Sequence, residues 1–341
     1  MPANNIDKNH NFSILIPTYN RQKFLKRILS YYDSFKEGFN IVIADSSTDE
    51  NKQENQKTIS TLSNLTITYI GFPPNDDYLS IMNKILGGLN NTKTKYCVFC
   101  ADDDFITPTG IKQSVEFLEN NPGYTVAHGH YIVFSVKADA DNQFQWKPYT
   151  AAGTIADPTP EARLFHHLSS YTPTFYGVHN TNLLKLIFEE TLDFADDFRF
   201  SELLASVIAL IYGKCNCLSV FYAAREISTD STSLKIEPFK NIISSQSYTR
   251  KYNKFRECLS MHLMKKSQTN LKQAEELIDN SMKNYLIKYN FISNDGTSNL
   301  FSNIKDSTKN HSIAFFNERY SEFREEINKI ISHTLSYSGD S

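Results

Sequence analysis

The chain has 341 residues, 40% hydrophobic and 21% charged, too long for a small stapled scaffold and far from a disordered composition. A net charge of -3 gives no bulk attraction to nucleic acid, so no nucleic-acid partner is expected. The five cysteines are an odd number, the first residues lack an apolar signal core, and no stretch approaches the ~20 apolar residues of a membrane span. These features lead us to expect a soluble, cytoplasmic protein with free thiols.

Phe12–Pro17 is a short apolar run that predicts a buried strand, followed by a helix carrying Phe24, Leu25, Ile28 and Leu29. Asn40–Ala44 predicts a second buried strand, ending at Asp45. Leu65–Ile70 predicts a third, and Tyr78–Leu89 is an amphipathic helix with Ile81, Met82, Ile85 and Leu86 on one stripe. Tyr96–Cys100 is a fourth strand that runs straight into Ala101-Asp-Asp-Asp104. Cys97 and Cys100 within it read as buried structural thiols. Strands alternating with helices make a parallel α/β sheet, and such sheets bind ligands at the carboxyl ends of their strands. Asp45 and Asp102–Asp104 both fall at such ends.

Thr107-Pro-Thr-Gly110 opens a helix over Ile111–Glu119, and Tyr124–Val136 reads as a strand. Gln143–Ala162 reads as loop and Phe175–His179 as a strand. Glu202–Tyr212 reads as a helix stopped by Gly213. Ser228–Ser233 reads as a linker, and from Phe239 the pattern is helical, with Leu271, Leu277, Met282 and Leu286 as a stripe. His128 and His130 share a strand face but lack a third metal ligand in sight.

Three consecutive carboxylates after a buried strand are costly unless neutralised. A divalent cation carrying a diphosphate does this, because Mg²⁺ or Mn²⁺ takes carboxylate and phosphate oxygens together. Ser13-Ile-Leu-Ile-Pro-Thr-Tyr-Asn-Arg21, Ile43-Ala-Asp-Ser-Ser47 and Ala101-Asp-Asp-Asp-Phe-Ile-Thr-Pro108 resemble, in order and spacing, the signature of family 2 glycosyltransferases with the GT-A fold. The resemblance runs from about Phe12 to about Arg225.

It implies a Rossmann-like, mostly parallel sheet flanked by helices, with a C-terminal helical extension. The expected division is a tail over 1–11, a GT-A domain over 12–230 and the extension over 231–341. It also implies a nucleotide-sugar donor, most often UDP-linked, an inverting transfer and a Mn²⁺ or Mg²⁺ cofactor. Pro17, Tyr19 and Arg21 would lie around the base, Asp45 would face uracil or ribose, Asp102 would reach the ribose, and Asp103 or Asp104 would hold the metal. Ala101 stands where many relatives have Asp, which leaves the choice of metal ligand open.

Relatives take their general base from a Glu-Asp pair opening a helix that ends at Gly. Ser201-Glu202 and Gly213 match that frame, so Glu202 is the candidate base, with Asp196 and Asp197 as fallbacks. His179 and Trp146 are acceptor-side candidates. The implied acceptor is a glycan or lipid-linked hydroxyl, in bacterial surface polysaccharide assembly. The extension is compatible with packing on the catalytic domain, with a homo-oligomer, or with peripheral contact with a membrane. Two alternatives remain at this point. One is a phosphatase of the haloacid dehalogenase type, because Asp102-Asp-Asp104-Phe-Ile-Thr107 approaches DxDxT. The other is a non-catalytic nucleotide-sugar binder.

Overall fold

A computed structural model describes residues 10–75, 77–136, 144–149, 153–194, 197–227, 239–289, 291 and 308–337. The first half alternates as expected: β1 Phe12–Thr18, α1 Gln22–Asp33, β2 Phe39–Asp45, α2 Asp49–Ser60, β3 Leu65–Gly71, α3 Tyr78–Asn91 and β4 Tyr96–Phe99. These four strands lie side by side as β3-β2-β1-β4, all parallel. β1, β2 and β4 are buried along nearly their whole length, which is why they read as continuous apolar runs. β3, at the sheet edge, alternates half-buried and exposed residues, and its sequence alternates too.

The chain continues through β5 Phe105–Ile106, α4 Pro108–Asn120, β6 Tyr124–Val136, β7 Phe144–Tyr149, α5 Pro160–Ser169, β8 Val178–Asn180, α6 Thr181–Leu192, α7 Phe198–Tyr212 and β9 Lys214–Glu226. Thr107 caps α4 by accepting from Gly110 N at 3.1 Å, with Pro108 in the first turn where no amide is needed. Beyond β4 the sheet is mixed: β8 pairs antiparallel with β4 and β6, while β6 and β9 are parallel. Gly129 lies so close to β9 that a Cβ there would meet Val220 O at 2.3 Å. The remaining elements are α8 Phe239–Ile243, α9 Tyr248–Lys266, α10 Leu271–Lys288 and α11 Thr308–Ser336.

Four expectations need correction. The segment read as loop contains β7, whose Phe144, Trp146 and Pro148 face inward at period two; Pro148 is tolerated because β7 pairs only with β6. β9, thirteen residues long, was not expected as a strand. The strand read over Phe175–His179 is Val178–Asn180. Of the expected stripe on α10, Met282 and Leu286 are buried and Leu277 is half-buried, but Leu271 is 47% exposed, and Ala274, Ile278, Ser281 and Tyr285 complete the buried face.

Phe239, Phe255, Leu259, Leu263, Ile278 and Met282 share one buried core with Leu164, Ile187, Phe200 and Leu204 to Ile211. Phe316, Phe323, Ile327 and Ile330 of α11 join the core of the N-terminal sheet. The C-terminal helices therefore pack directly on α5, α6, α7 and the sheet.

Candidate active site

A cleft of about 780 Å³ opens at the carboxyl ends of β1 and β4, a volume ordinary for a small-molecule site. Because β1 and β4 are adjacent and parallel, their exits meet. Thr18 Oγ1 donates to Asp102 Oδ2 at 2.7 Å. Arg21 forks across two carboxylates: Nη1 to Asp102 Oδ1 at 2.7 Å and Nη2 to Asp103 Oδ2 at 2.8 Å. Its guanidinium also lies 4.2 Å from the centre of the Phe24 ring.

Asp104 is held from the other side. Its Oδ2 accepts from Arg225 Nε at 3.2 Å and its Oδ1 from Glu226 N at 3.0 Å. Arg27 donates to Asp103 O at 2.7 Å and pairs with Glu226 at 2.6 Å. Burial pushes the Asp102 and Asp104 carboxyls up, while Arg21 and Arg225 respectively draw them back down. Lys84, buried on α3, donates to Thr18 O at 2.8 Å and Ser46 Oγ at 3.0 Å, tying the exits of β1 and β2 together.

The opposite wall comes from α7. Glu202 lies in its second turn, its side chain 13% exposed, and accepts from Arg199 Nη1 at 3.3 Å. Burial raises its carboxyl above the ordinary range and Arg199 opposes that. Tyr78 and Phe198 meet edge to face at 5.2 Å beside it. Tyr176 lies under Arg225, whose guanidinium is 4.4 Å from the ring centre.

Pro17, Tyr19, Arg21, Asp102, Asp103, Asp104 and Glu202 thus line one cleft. The other expected residues fall elsewhere. Asp45 is fully buried and accepts from Ser47 N at 2.8 Å, Asn55 Nδ2 at 2.7 Å and Tyr69 OH at 2.8 Å, so it positions the turn after β2 and is not among the lining residues. Asp197 caps α7 through Arg199 N and Phe200 N and pairs with Lys251 at 2.9 Å. His179 is buried in β8, its Nε2 3.1 Å from Thr174 O, and burial pushes its pKa down to about 4. Trp146 stacks on Tyr320 of α11 with ring centres 5.8 Å apart, a packing contact. Asp196 lies outside the described residues.

Thr18, Lys84, Arg225, Glu226 and Tyr176 line or brace the cleft without having been singled out for it. Three left a signal: Lys84 interrupts an apolar helical stripe, and Arg225-Glu226 ends an apolar run as the Asp clusters do. Cys97, Cys100 and Cys215 are buried and free, and the His130 ring stacks on Phe315 with centres 3.7 Å apart.

For the cation implied by the family resemblance, Asp103 offers the fitting oxygen. Its Oδ1 receives no hydrogen bond from the described residues, and the side chain is 10% exposed at the cleft wall. Both Asp104 oxygens are already engaged. Hard carboxylate oxygen suits Mg²⁺ or Mn²⁺.

Residues 13–176 match the family model described as Glycosyl transferase family 2. Among solved structures, S. aureus TarS 1–349 is 13% identical with a TM-score of 0.48, the match covering 82% of this chain and 72% of that one. The same fragment in complex with UDP-GlcNAc gives 15% identity and 0.43, over 81% and 80%. A further S. aureus TarS structure gives 17% and 0.41, over 74% of this chain and 43% of that one. No curated protein matches the chain. The matched segment carries β1 to β4, the Asp102–Asp104 turn and Tyr176, and the chain is a glycosyltransferase whose residues 13–176 form a family 2 domain.

Proposed function

We propose that the cleft binds a nucleoside-diphosphate sugar, UDP-linked as the family resemblance implies, and transfers the sugar with inversion to a hydroxyl of a glycan or lipid-linked acceptor. The observation that carries this is the meeting, in one cleft, of the Arg21-forked Asp102–Asp103 pair and the largely buried Glu202. Pro17 and Tyr19 flank the base, and Asp102, fixed by Thr18 and Arg21, faces the ribose. Asp103 would hold a Mn²⁺ or Mg²⁺ ion, which when bound offsets charge on the departing diphosphate.

Arg225 adds a fixed positive group at the same wall, oriented by Asp104 and Tyr176. Glu202 takes the proton of the acceptor hydroxyl onto its carboxylate. The freed oxygen bonds to the anomeric carbon as the bond to the diphosphate breaks, releasing nucleoside diphosphate. Arg199 favours the ionised form of Glu202 that this step needs. The setting in surface polysaccharide assembly, on the cytoplasmic side and with peripheral membrane contact, rests on the family resemblance alone. Among the described residues no helix is long and apolar enough to cross a membrane.

Glu202→Gln tests the assignment. Nucleotide binding should persist while transfer falls by about 10²–10⁴-fold. In the wild type, kcat/KM should rise with pH through the carboxyl of Glu202, at a midpoint above the ordinary glutamate value. A near-normal rate in Glu202→Gln would remove the residue from that role.

A further inference from the structure

Away from the cleft, α6 and α9 bring a second set of ligand-type side chains together. Cys258 and His262 are four residues apart on α9 and so share one face of the helix. Glu190 of α6 faces them. Cys258 Sγ lies 3.5 Å from Glu190 Oε2, and His262 Nε2 lies 3.4 Å from Glu190 Oε1. One ligand atom from each of the three residues can be chosen so that all lie within 4.8 Å of one another.

We propose that Glu190, Cys258 and His262 bind one zinc ion that clips α9 to the catalytic domain. Zinc bonds of about 2.3 Å to sulfur and about 2.0 Å to nitrogen or oxygen place tetrahedral donors about 3.3–3.5 Å apart. Cys258 Sγ and His262 Nε2 already have that spacing, each to a different oxygen of the Glu190 carboxylate, and a small side-chain rotation brings one oxygen to both. The imidazole is also aimed: its Nδ1 lies 3.1 Å from Tyr212 OH, which leaves Nε2 turned to the cluster, the outer-partner arrangement of metal-bound histidine. A thiol, an imidazole and a carboxylate together select a borderline-soft ion, whereas Mg²⁺ would not choose the sulfur. His262 is buried while Glu190 and Cys258 are half-exposed, so an ion and a fourth, water ligand have a way in. The ion displaces the Cys258 thiol proton to solvent and bonds the thiolate.

The surroundings are of both signs: Asp193 and Glu257 add negative charge near the thiol, and Lys265 and Lys266 add positive charge near the imidazole. None of the three ligand residues lines the cleft, so this site is separate from Asp103.

The test uses the full chain, stripped with chelator and titrated with Co²⁺ as a spectroscopic stand-in for zinc. One equivalent should produce the near-ultraviolet thiolate-to-cobalt charge-transfer band, and Zn²⁺ should bleach it. Cys258→Ser should abolish the band, while Cys217→Ser, at the other half-exposed cysteine, should leave it intact. Glu190→Gln keeps the packing volume and should weaken cobalt binding by at least about tenfold, the loss that even removal of an outer partner causes. No charge-transfer band in the folded wild type, a band that survives Cys258→Ser, or unchanged affinity in Glu190→Gln would each overturn the proposal.

Discussion

Neighbouring carboxylates in the turn after β4 have different commitments. Asp104 gives both oxygens to Arg225 and Glu226, while Asp103, at the cleft wall, gives Oδ2 to Arg21 and its Oδ1 receives no hydrogen bond from the described residues. Asp103→Asn should therefore remove metal-dependent nucleotide binding, at a smaller stability cost than at Asp104 because Arg21 keeps Asp102 as a partner. Asp104→Asn should instead destabilise by about 2–3 kcal/mol in denaturant titration, less than for a fully buried pair because Arg225 is nearly one-third exposed. Equal stability of the two variants would contradict this division. His179 supplies a pH-dependent check. Its folded pKa of about 4 lies below the ordinary 6.5, so as pH falls the unfolded chain takes up the proton first. Its contribution is complete above about 6.5 and is lost between there and about 4, a change of about 3 kcal/mol. The destabilisation caused by His179→Gln should shrink across that window; a pH-independent difference would mean that the imidazole is not held neutral.

Glu202 was singled out through the family resemblance, from the frame of Ser201-Glu202 and Gly213, and it lies at the cleft wall in the second turn of α7. The commitment of Asp45 was not legible: Asn55 and Tyr69 approach it from ten and 24 residues away, through a helix and a neighbouring strand.

The element that places Glu202 is α7, and its start depends on Asp197, which caps two amides and pairs with Lys251 of α9. Asp197→Ala should cost about 3 kcal/mol, combining a lost cap with a lost, largely buried ion pair. Transfer should fall with it, since the helix start also sets Arg199 and Glu202, while nucleotide binding at the β1–β4 exits should persist. A change below about 0.5 kcal/mol would show that the helix start is held by other contacts. β1, β2 and β4 were legible from apolar runs, β3 from its alternation, and α1 and α3 from helical stripes. β7 and β9 were not, for different reasons. Pro148 masked the alternation of β7, and β9 carries half-buried Asn216 and exposed Ser219 within its run, polar residues that break a continuous apolar signal.

At the scale of the whole molecule, the helices after Phe239 complete two cores that begin in the catalytic half. Phe255, Leu259 and Leu263 pack with α5 and α7, and Phe323, Ile327 and Ile330 pack with the sheet. A fragment ending after Ile227 should therefore expose those apolar faces and aggregate. A soluble, cooperatively unfolding fragment would show instead that the first part folds alone. Helicity of the C-terminal third was legible from its stripes. Its docking was not, because the matching faces on α5 and α7 read only as apolar.

The central claim is that Asp103, braced by Arg21, makes nucleotide binding depend on a divalent cation. Calorimetric titration of UDP with Mn²⁺ and with chelator, on the wild type and Asp103→Asn, addresses it directly. The account predicts binding by the wild type with Mn²⁺ and its loss both in chelator and in Asp103→Asn. UDP binding that ignores the chelator, or that persists metal-dependent in Asp103→Asn, would contradict it.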